Sequence, residues 1–428
     1  MSRDVVVVDG VRTPYAKAGT ELKDVPAAEL GRIVVTELLA RTDFDPAALD
    51  EVVFGNIAQP PDAVNVSRVA ALKAGVPDRV PAFTVNRLCG SGLESIADAA
   101  YRIAAGDAEA IVAGGVESMS RIPLLYSYDS QEVFTEVFTA KDLGGRLAAA
   151  SKFRPRHFKP EIGLQMGLTD AVCGLNMGET AEVVAREHRI TREEQDAFAL
   201  RSHQRVTLAR AKLAEEIVPV PIPPRFEAMA TKDNGVRENQ SLEALAKLKP
   251  YFDRRFGTVT AGNSSQITDG GAAVLVMSAG AAKSRGYRPL GRIRGIAFCA
   301  LEPERMGLGP AVATPMALKR AGLSWQDIGL VEINEAFAAQ VLACARVFPS
   351  ASWHAKYGTA GPIGEIDWER TNVNGGAIAL GHPVGSSANR LVLTLLREMR
   401  RRGTQFGLAT MCIGGGQGGA AVVELLPS

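Results

Sequence analysis

Cys89 is the side chain of this sequence that is best placed to act as a nucleophile. It lies in a glycine-rich turn, residues 86–92, between an extended run at 81–85 and a helical pattern that Gly106 ends. The N–H groups and the dipole of a helix N-terminus favour an anion, so this thiol should ionise more easily than a free one. Taken alone, a free cysteine is more often buried and inert, so the assignment depends on partners elsewhere in the chain.

Three more segments carry polar or reactive side chains beside flexible backbone. They are residues 334–338 (NEAFA), 372–385 (NVNGGAIALGHPVG) and 412–419 (CIGGGQGG). His382 by itself could be a structural histidine, and Cys412 by itself could be a core thiol. The adjacent glycines argue against both interpretations, because such backbone is costly unless another group must approach closely.

A scaffold for these segments is predicted by the alternation of apolar runs with helical patterns. In the first part of the chain, strands are expected at 5–8, 52–54, 81–85 and 110–115, and helices at 26–40, at 67–74 and after Cys89. Asp9 and Gly10 are expected to end the first strand, and residues 12–15 to form a loop. Strand alternating with helix predicts a parallel sheet covered on both faces.

Residues 121 to about 250 have more charge, more proline and weaker strand signals, and we interpret them as a long insertion over the site. Within it, residues 191–213 are predicted to form an exposed amphipathic helix, with Thr191 as cap and Glu194 completing a capping box. The most basic stretch is 152–159. We favour solvated surface for it over a patch for ligand phosphates or for an anionic membrane.

The sheet pattern resumes at 258–260 and 272–277, and from about residue 285 the plan of the first half is repeated. Residues 330–334 correspond to the second strand and to Asn56 at its end. Residues 404–411 are expected to lead to Cys412 as residues 81–88 lead to Cys89, and the last strand is expected at 420–426. Two related halves packed together would bring equivalent loops to a shared site.

Length and composition limit the classes of protein to consider. A chain of 428 residues is too long for one ordinary core, and 46% hydrophobic with 22% charged residues is typical of a soluble globular protein. A net charge of +1 argues against a general nucleic-acid surface. No apolar run is long enough to span a bilayer, and the N-terminus lacks a secretory h-region. Five widely spaced cysteines predict free thiols in a reducing, cytoplasmic compartment and argue against a zinc site.

Together, the four segments resemble the thiolase family, the acyl-CoA C-acyltransferases. The similarity includes residues 9–14 (DGVRTP) and 257–263 (GTVTAGN) and so covers nearly the whole chain. It implies an α/β, thiolase-like fold with two similar βαβ-type halves, each with a central mixed sheet covered by helices, and a loop domain inserted in the first half. The expected boundaries are 1–120 with 251–284 for the N-terminal half, 121–250 for the loop domain over the CoA site, and 285–428 for the C-terminal half.

The resemblance implies a role for each matching residue. Cys89 matches the nucleophile that takes the acyl group as a thioester, and His382 matches the base that activates it. Cys412 matches the cysteine that carries a proton to or from the α-carbon. Asn334 matches the residue that holds a water, which forms one oxyanion site with His382, and the amides of Cys89 and Gly414 match the second site. Claisen chemistry needs these parts: a nucleophile, a proton carrier and two places for negative oxygen.

Four further residues match positions that contact coenzyme A. Arg237 matches a residue near the nucleotide end, Met177 one beside the pantetheine arm, and Ser265 one that touches the arm, which Phe252 would line. Arg237 alone could equally be a simple surface residue. The resemblance implies no metal and no cofactor, since coenzyme A is a substrate.

Some positions depart from the family pattern and bear on acyl-chain specificity and the CoA pose. Asn176 stands where acetoacetyl-CoA-specific members often carry histidine, Gln266 where glycine is usual, and Ala388 where glycine normally ends the histidine motif. An insertion at roughly 348–367 is similar to the β subunits of fatty-acid oxidation complexes and leaves a partner subunit open. The family resemblance also implies a homodimer or homotetramer.

The resulting hypothesis is a 3-ketoacyl-CoA thiolase of fatty-acid β-oxidation, which cleaves 3-ketoacyl-CoA to acetyl-CoA and a shortened acyl-CoA through a Cys89 thioester. One alternative is an acetyl-CoA C-acetyltransferase that makes acetoacetyl-CoA from two acetyl-CoA molecules. A ketoacyl-synthase-type condensing enzyme is disfavoured because Cys412 stands where such enzymes have a second histidine. A non-catalytic subunit of a fatty-acid oxidation complex is disfavoured because all the chemical residues are present.

Overall fold

Residues 3–426 are described by the computed structural model, and ten of their strands join one sheet. The strands are β1 (Val5–Arg12), β2 (Ala16–Lys17), β3 (Glu51–Gly55), β4 (Ala82–Val85), β5 (Ala110–Ser118), β6 (Leu124–Leu125), β7 (Glu161–Ile162), β8 (Val220–Pro221), β9 (Met229–Ala230), β10 (Thr268–Ser278), β11 (Gly291–Ala300), β12 (Leu330–Ile333), β13 (Phe406–Ile413) and β14 (Gln417–Glu424). The α-helices are α1 (Ala27–Thr42), α2 (Val66–Lys73), α3 (Ser91–Ala105), α4 (Tyr128–Thr139), α5 (Leu143–Ala150), α6 (Gly163–Gly167), α7 (Met177–Glu187), α8 (Arg192–Ala214), α9 (Leu242–Ala246), α10 (Ala279–Ser284), α11 (Gly309–Ala321), α12 (Ala338–Val347), α13 (Ala351–Lys356), α14 (Ala377–Leu380) and α15 (Ser387–Arg402). Short 3₁₀ helices occupy Pro46–Ala48, Met119–Arg121, Pro155–Phe158, Pro303–Leu308 and Trp325–Asp327.

The sheet consists of two halves with the same strand pattern. Its order is β12-β13-β14-β11-β1-β10-β5-β3-β4, with β2 beside β10. In the first half β4, β3 and β5 are parallel, and β10 and β1 add in antiparallel fashion. In the second half β12 and β13 are parallel, and β14 and β11 add in antiparallel fashion. The predicted fold of two similar halves with mixed sheets is therefore confirmed.

The simpler expectation of a wholly parallel sheet is wrong. β10 follows the inserted region and enters between β1 and β5, antiparallel to both. Within the sheet formed by residues 3–426, the two halves join where β1 pairs with β11, at Val6 with Arg292 and Val7 with Gly291. Alternation of strand and helix along the chain could not reveal a central strand that arrives so late, because the alternation reports local connections only.

Strand register identifies which positions of the two halves are equivalent. Gly55 at the end of β3 lies opposite Gly115, and Ile333 at the end of β12 lies opposite Thr410. Asn56 and Asn334 therefore follow equivalent strand ends, as predicted. Two residues further along each strand, Glu117 pairs with β10 and Cys412 pairs with β14. Glu117 is thus the counterpart of Cys412.

The predicted equivalence of residues 404–411 with residues 81–88 is wrong. β13 lies inside the sheet between β12 and β14, whereas β4 lies at its edge. The position equivalent to β4 is Thr371, which forms a parallel bridge with Val331. An apolar run before a cysteine looks the same in both places, and only the neighbouring strands distinguish them.

Helices α3 and α15 position the loops that precede them. They contact each other, and each also contacts strands of the sheet. Their apolar faces share one core cluster, which includes Ile96 and Leu391. α3 ends at Gly106, whose φ of 92° is the left-handed conformation of a C-cap, as its sequence predicts.

Two local predictions of strand bounds are wrong. β1 does not end at Asp9 but continues to Arg12 with a bulge after Val7, because β10 is long enough to pair with it throughout. Residues 258–260 are not a strand. Their hydrogen bonds go to side chains instead: the amides of Thr258 and Val259 donate to the Glu182 carboxylate at 2.9 and 2.8 Å.

The region between β5 and β10 holds helices α4 to α9 and two small sheets, β6 with β7 and β8 with β9. α8 begins with the predicted capping box of Thr191 and Glu194, but it buries one side rather than standing exposed. In the basic stretch, Arg156 pairs with Asp129 at 3.0 Å, in keeping with solvated surface. The predicted domain boundaries stay predictions. Within residues 3–426, no helix has both the length and the apolar character needed to cross a membrane.

A buried ion cluster ties this region to the first half. The Arg12 guanidinium is fully buried and donates to Glu216 at 2.7 Å and to both oxygens of Asp233 at 2.6 and 2.9 Å. Thr394 on α15 also donates to Glu216. Because removing one partner would leave a buried charge uncompensated, this cluster fixes the inserted region against β1 and α15.

Candidate active site

Cys89 lies at the end of a strained turn between β4 and α3. The residue before it, Leu88, has a φ of 46°, which is uncommon for a residue with a side chain. The turn is held by the amide of Leu88, which donates to Asn86 Oδ1 at 3.0 Å, and by Ser91 Oγ, which donates to the Leu88 carbonyl at 2.6 Å. Such strain persists only where surrounding contacts impose it, and it is concentrated at functional sites.

The surroundings of the Cys89 sulfur correct one expectation. Burial raises the pKa of the thiol, and the amide N–H groups of Gly414 and of Cys89 itself act in the opposite direction without cancelling it. The prediction that the Cys89 thiol ionises easily is therefore wrong for the enzyme without substrate. Burial raises the pKa of the thiol by more than the N–H groups around it lower that pKa. The same two amides are the pair that the family resemblance assigns to an oxyanion site.

His382 is buried, and its partners fix which ring nitrogen is free. Nδ1 lies 2.6 Å from Ser387 Oγ, and that hydroxyl donates to the carbonyl of Pro383 at 3.1 Å. Ser387 Oγ therefore accepts a hydrogen bond from the N–H of Nδ1, and Nε2 carries the lone pair. Burial, with a smaller effect from Arg390, lowers the pKa of His382 to about 3, so the ring is a neutral base.

Asn334 joins the histidine to the second cysteine. Its Nδ2 lies 3.4 Å from His382 Nε2, and its backbone amide donates to the carbonyl of Thr410 at 2.9 Å, two residues before Cys412. Asn334 is fully buried, and its Oδ1 has no hydrogen-bond partner among the described residues. A buried polar atom of this kind is suited to holding a water or a substrate oxygen.

Cys412 lies in β13, buried and close to Cys89. Burial raises its pKa well above the ordinary value, and the proximity of Cys89 and Cys344 adds to the rise. The resting thiol is therefore protonated and can give a proton to carbon. The turn that follows contains Gly415 and Gly416 at φ of 72° and 71°, which lets the Gly414 amide point back at Cys89.

The structure brings the five predicted catalytic residues into one site. Cys89 contacts Gly414 and lies near Cys412, and Asn334 contacts His382 and the strand that carries Cys412. The loop after His382 packs against the helix after Cys89, since a β-carbon on Gly92 would lie 3.0 Å from the Gly385 carbonyl oxygen.

Three of the four predicted CoA-contact residues border these loops. A β-carbon on Gly414 would lie 3.4 Å from Met177 Sδ. The Phe252 ring packs edge-on against Phe337, with centroids 6.1 Å apart, and the amide of Ser265 donates to Ala336 at 2.9 Å. Their roles toward CoA stay predictions.

Arg237, the fourth, is exposed on the loop between β9 and α9. Its amide donates to His203 on α8 at 3.1 Å. This contact fixes the backbone and leaves the predicted role of the guanidinium untested.

The three departures from the family pattern each have a structural setting. Asn176 caps α7 through the amide of Gly178. The Gln266 side chain donates to the carbonyl of Gly235 at 2.9 Å, and the backbone carbonyl of Gln266 accepts from the His382 amide at 3.3 Å. Ala388 is buried in the core cluster of α15. Gln266 thus bridges the Arg237 loop and the histidine segment.

Sequence reasoning missed two residues that hold the site. Ser387 fixes the His382 tautomer, and the only local signal is a hydroxyl in the first turn of the following helix. Glu117 bonds to Gly385, which is 268 residues away, so no local signal marks it. Among residues 3–426, no group of three or more His, Cys, Asp and Glu side chains is arranged to hold a metal.

Comparison with known proteins identifies the relatives of the chain. Residues 5–280 match the thiolase N-terminal domain family, and residues 287–425 match the thiolase C-terminal domain family. The 3-ketoacyl-CoA thiolase of Serratia proteamaculans is 42% identical over 425 residues, which are 98% of this chain and 97% of that protein. The 3-ketoacyl-CoA thiolase of Shewanella pealeana gives the same identity and coverage.

Two similar solved structures cover 99% of this chain, each at 37% identity. One is human mitochondrial 3-ketoacyl-CoA thiolase in complex with CoA, with a TM-score of 0.85 and 98% of that chain covered. The other is the acetyl-CoA acetyltransferase of Bacillus anthracis, with a TM-score of 0.87 and 99% of that chain covered.

Proposed function

This chain belongs to the thiolase family, and we infer that it is a 3-ketoacyl-CoA thiolase, an acyltransferase. The reaction is the cleavage of 3-ketoacyl-CoA by CoA to acetyl-CoA and a shortened acyl-CoA. The observation that carries this proposal is the meeting of two thiols, two amides and a neutral imidazole in one site, in a chain about 42% identical to 3-ketoacyl-CoA thiolases over nearly its whole length.

In the first half-reaction, Cys89 Sγ attacks the 3-keto carbon while His382 Nε2 takes the thiol proton. The bond between C2 and C3 breaks, and its electron pair passes to the α-carbon of the departing acetyl unit. Cys412 gives its proton to that carbon, so acetyl-CoA leaves and an acyl group remains on Cys89. The raised pKa of Cys412 suits it to supply a proton rather than to compete as a nucleophile.

In the second half-reaction, CoA displaces the acyl group. The CoA thiol passes its proton to the Cys412 thiolate and attacks the thioester, and Cys89 leaves with the proton held on His382. All three groups return to their starting protonation states. A thioester intermediate divides one difficult transfer into two easier steps.

Two oxyanion sites stabilise the negative oxygens. The amides of Cys89 and Gly414 face the oxygen of the carbonyl that Cys89 attacks. The other oxygen, on the acetyl-CoA enolate, faces His382 Nε2 after that nitrogen has taken the proton, together with the water that Asn334 is predicted to hold. One lost donor in such a site costs about 3–4 kcal/mol in other enzymes.

The rate of cleavage against acyl-chain length tests the proposal. Purified enzyme is given CoA and a series of 3-ketoacyl-CoA esters from acetoacetyl-CoA to long chains, with Cys89→Ala as the matched inactive control. We expect kcat/KM to be higher for the longer esters than for acetoacetyl-CoA. Absence of cleavage of every ester, with the protein folded, would overturn the assignment.

Acetyl-CoA C-acetyltransferase activity is the second candidate, supported by the similarity to the Bacillus anthracis acetyl-CoA acetyltransferase structure. The two activities would use the same catalytic residues and differ in the acyl chain that is accepted. Cleavage of acetoacetyl-CoA alone, with condensation of two acetyl-CoA molecules, would favour this candidate.

The assembly and location are also proposals. β4 lies at the end of the sheet with its outer edge free of other strands in the described chain, and its four residues are half-buried. An edge of this kind supports a homodimer made by extending the sheet. The five free cysteines support a reducing, cytoplasmic location. The inserted segment at roughly 348–367, which contains α13, is the basis for a further proposal, binding to a partner subunit of a fatty-acid oxidation complex.

A further inference from the structure

Glu117 is a buried carboxylate at the end of β5 that no step of the reaction uses. Its two oxygens accept four hydrogen bonds. Oε1 accepts from Asn56 Nδ2 and from the amide of Ala58, both at 3.0 Å. Oε2 accepts from the amide of Ile57 at 3.1 Å and from the amide of Gly385 at 3.2 Å.

The hydrogen-bond partners of Glu117 favour its ionised form, whereas its burial opposes ionisation. All four partners are neutral N–H donors. A protonated carboxyl group would place its own O–H opposite one of these donors, and the hydrogen bond between them would be lost. Burial raises the pKa of Glu117 to about 7, while the bonds from Ala58, Ile57 and Gly385 act to lower it. The donors therefore offset part of the cost of burying the carboxylate but not all of it.

Gly385 is the partner that connects this cluster with the reaction. It lies three residues after His382 and two before Ser387, which holds the ring. Its carbonyl lies flat against strand β5 and the first turn of α3: a β-carbon would lie 1.9 Å from that oxygen if placed on Gly115, and 3.0 Å if placed on Gly92. The loop of the base thus rests on the strand of Glu117 and on the helix that follows the nucleophile.

We propose that Glu117 is a positioning residue for the reaction, which holds the Gly385 amide and thereby sets His382 against Cys89. This inference rests on the proposed function. Strand register makes Glu117 the counterpart of Cys412, so one half of the sheet uses the position to hold the base and the other uses it to transfer a proton. Geometry this close to reacting atoms matters, because misplacement by 1 Å can cost about 100-fold in rate.

Glu117→Gln is the principal test because it keeps the shape of the side chain. One oxygen becomes an NH₂ group that faces two N–H donors, so two of the four bonds are lost. We expect kcat to fall about 10- to 100-fold with KM for CoA within about twofold. We also expect slower alkylation of Cys89 by iodoacetamide at neutral pH, since the base has moved from the thiol, even though loss of the Glu117 charge by itself would lower the pKa of Cys89.

Glu216→Gln is the matched control. Glu216 is also a buried carboxylate, but it bonds to Arg12 and Thr394 and makes no bond to the histidine loop. We expect this variant to lose thermal stability while its folded fraction keeps the wild-type kcat and the wild-type pH profile of alkylation.

Gly385→Ala attacks the same contact from the other side and covers the case in which Glu117→Gln does not fold. The new β-carbon would lie 2.8 Å from Glu117 Oε2 and 2.6 Å from the Val116 carbonyl, so the loop must lift from the strand. We expect the same loss of kcat and the same slowing of alkylation, here with the Glu117 charge kept.

Unchanged kcat and alkylation in folded Glu117→Gln or Gly385→Ala would overturn the inference, and so would an equal loss in Glu216→Gln. The alkylation profile needs no substrate, so it tests the inference even if the wild type cleaves no 3-ketoacyl-CoA, the outcome that would overturn the proposed function.

Discussion

The two halves of the sheet place different chemistry on equivalent strand ends. In the first half, Asn56 uses its NH₂ group on the Val116 carbonyl and on Glu117, both at 3.0 Å. In the second half, Asn334 directs its NH₂ group at His382, and a thiol stands where the carboxylate would be. The position of Glu117 and Cys412 therefore supports the loop of the base in one half and transfers a proton in the other. The side chain in the first half already has its hydrogen-bond partners, whereas the thiol in the second half is free to react.

The loops that precede α3 and α15 both carry a reacting side chain, unlike the strand ends just compared. Val53 pairs with Phe83 before the Cys89 turn, and Val331 bridges Thr371 before the His382 segment. Both loops carry a reacting side chain, a nucleophile in the first and its base in the second. Neither half contains both, so the site exists only where the halves face each other across α3 and α15.

The two thiols give the largest expected effect and test this comparison most directly. Cys89→Ala should abolish the acyl-enzyme that mass spectrometry detects after incubation with acetyl-CoA, because the attacking sulfur is gone. Cys412→Ala should still form the thioester but should lower the rate of cleavage by about 10²- to 10⁴-fold, the usual contribution of a proton-transfer group.

Cleavage within about tenfold of wild type in Cys412→Ala would break the comparison with Glu117, since neither position would then transfer a proton. The control is the circular dichroism spectrum of each variant, because Ala at either position removes a buried sulfur.

Much of the fold could be predicted from local pattern. The helix after Cys89, its Gly106 stop and the capping box of α8 follow from periodicity and from residues with specific roles at helix ends. The position of β10, the bulge in β1 and the place of β13 could not be predicted, because each depends on pairing between distant segments. A local pattern carries no information on which strands become neighbours.

The site divides in the same way. Cys89, His382 and Cys412 stand in short glycine-rich motifs and were found by their resemblance to a family. The supporting residues Glu117 and Ser387 were missed, because a glutamate at the end of a strand and a serine at the start of a helix are ordinary in sequence. The ease of ionisation of Cys89 was predicted wrongly since burial, which opposes it, is not visible in the sequence.

The two asparagines sharpen the comparison with an intermediate effect. Asn334→Ala should lower kcat about 10²- to 10³-fold, as expected for a lost oxyanion contact, with a small change in Tm. Asn56→Ala should lower the free energy of unfolding by about 1–3 kcal/mol, because two buried acceptors lose their donor, while kcat falls less than tenfold.

Kinetics at saturating CoA and thermal unfolding of both variants check this pair of outcomes. If both asparagines affect kcat and stability alike, the distinction between a reacting half and a supporting half is lost.

The smallest expected effect is the dependence of stability on pH at His382. Since the pKa of His382 is lowered to about 3 in the folded chain, the unfolded chain binds this proton first as pH falls below about 6.5. The contribution of His382 to stability is therefore intact above about pH 6.5 and is lost progressively toward pH 3. His382→Asn removes this loss, so Tm of the wild type minus Tm of the variant should decrease by about 1–3 °C between pH 7.5 and 5.5.

Glu117 and Glu332 also titrate in the folded chain with raised pKa values, of about 7 and about 8. They are present in both proteins, so the difference in Tm isolates the histidine. Parallel curves of Tm against pH would show that the imidazole is not held neutral by the fold.

The late arrival of β10 has a consequence for synthesis of the chain. β10 lies between β1 and β5 in the finished sheet, yet the ribosome must translate from residue 118 to residue 268 before it appears. At roughly 5–20 residues per second this takes on the order of ten seconds. During that interval the nascent polypeptide carries two apolar strands whose facing edges have no neighbour, and unpaired strand edges are prone to aggregation. A chaperone bound near the exit tunnel would act on this protein chiefly in that window.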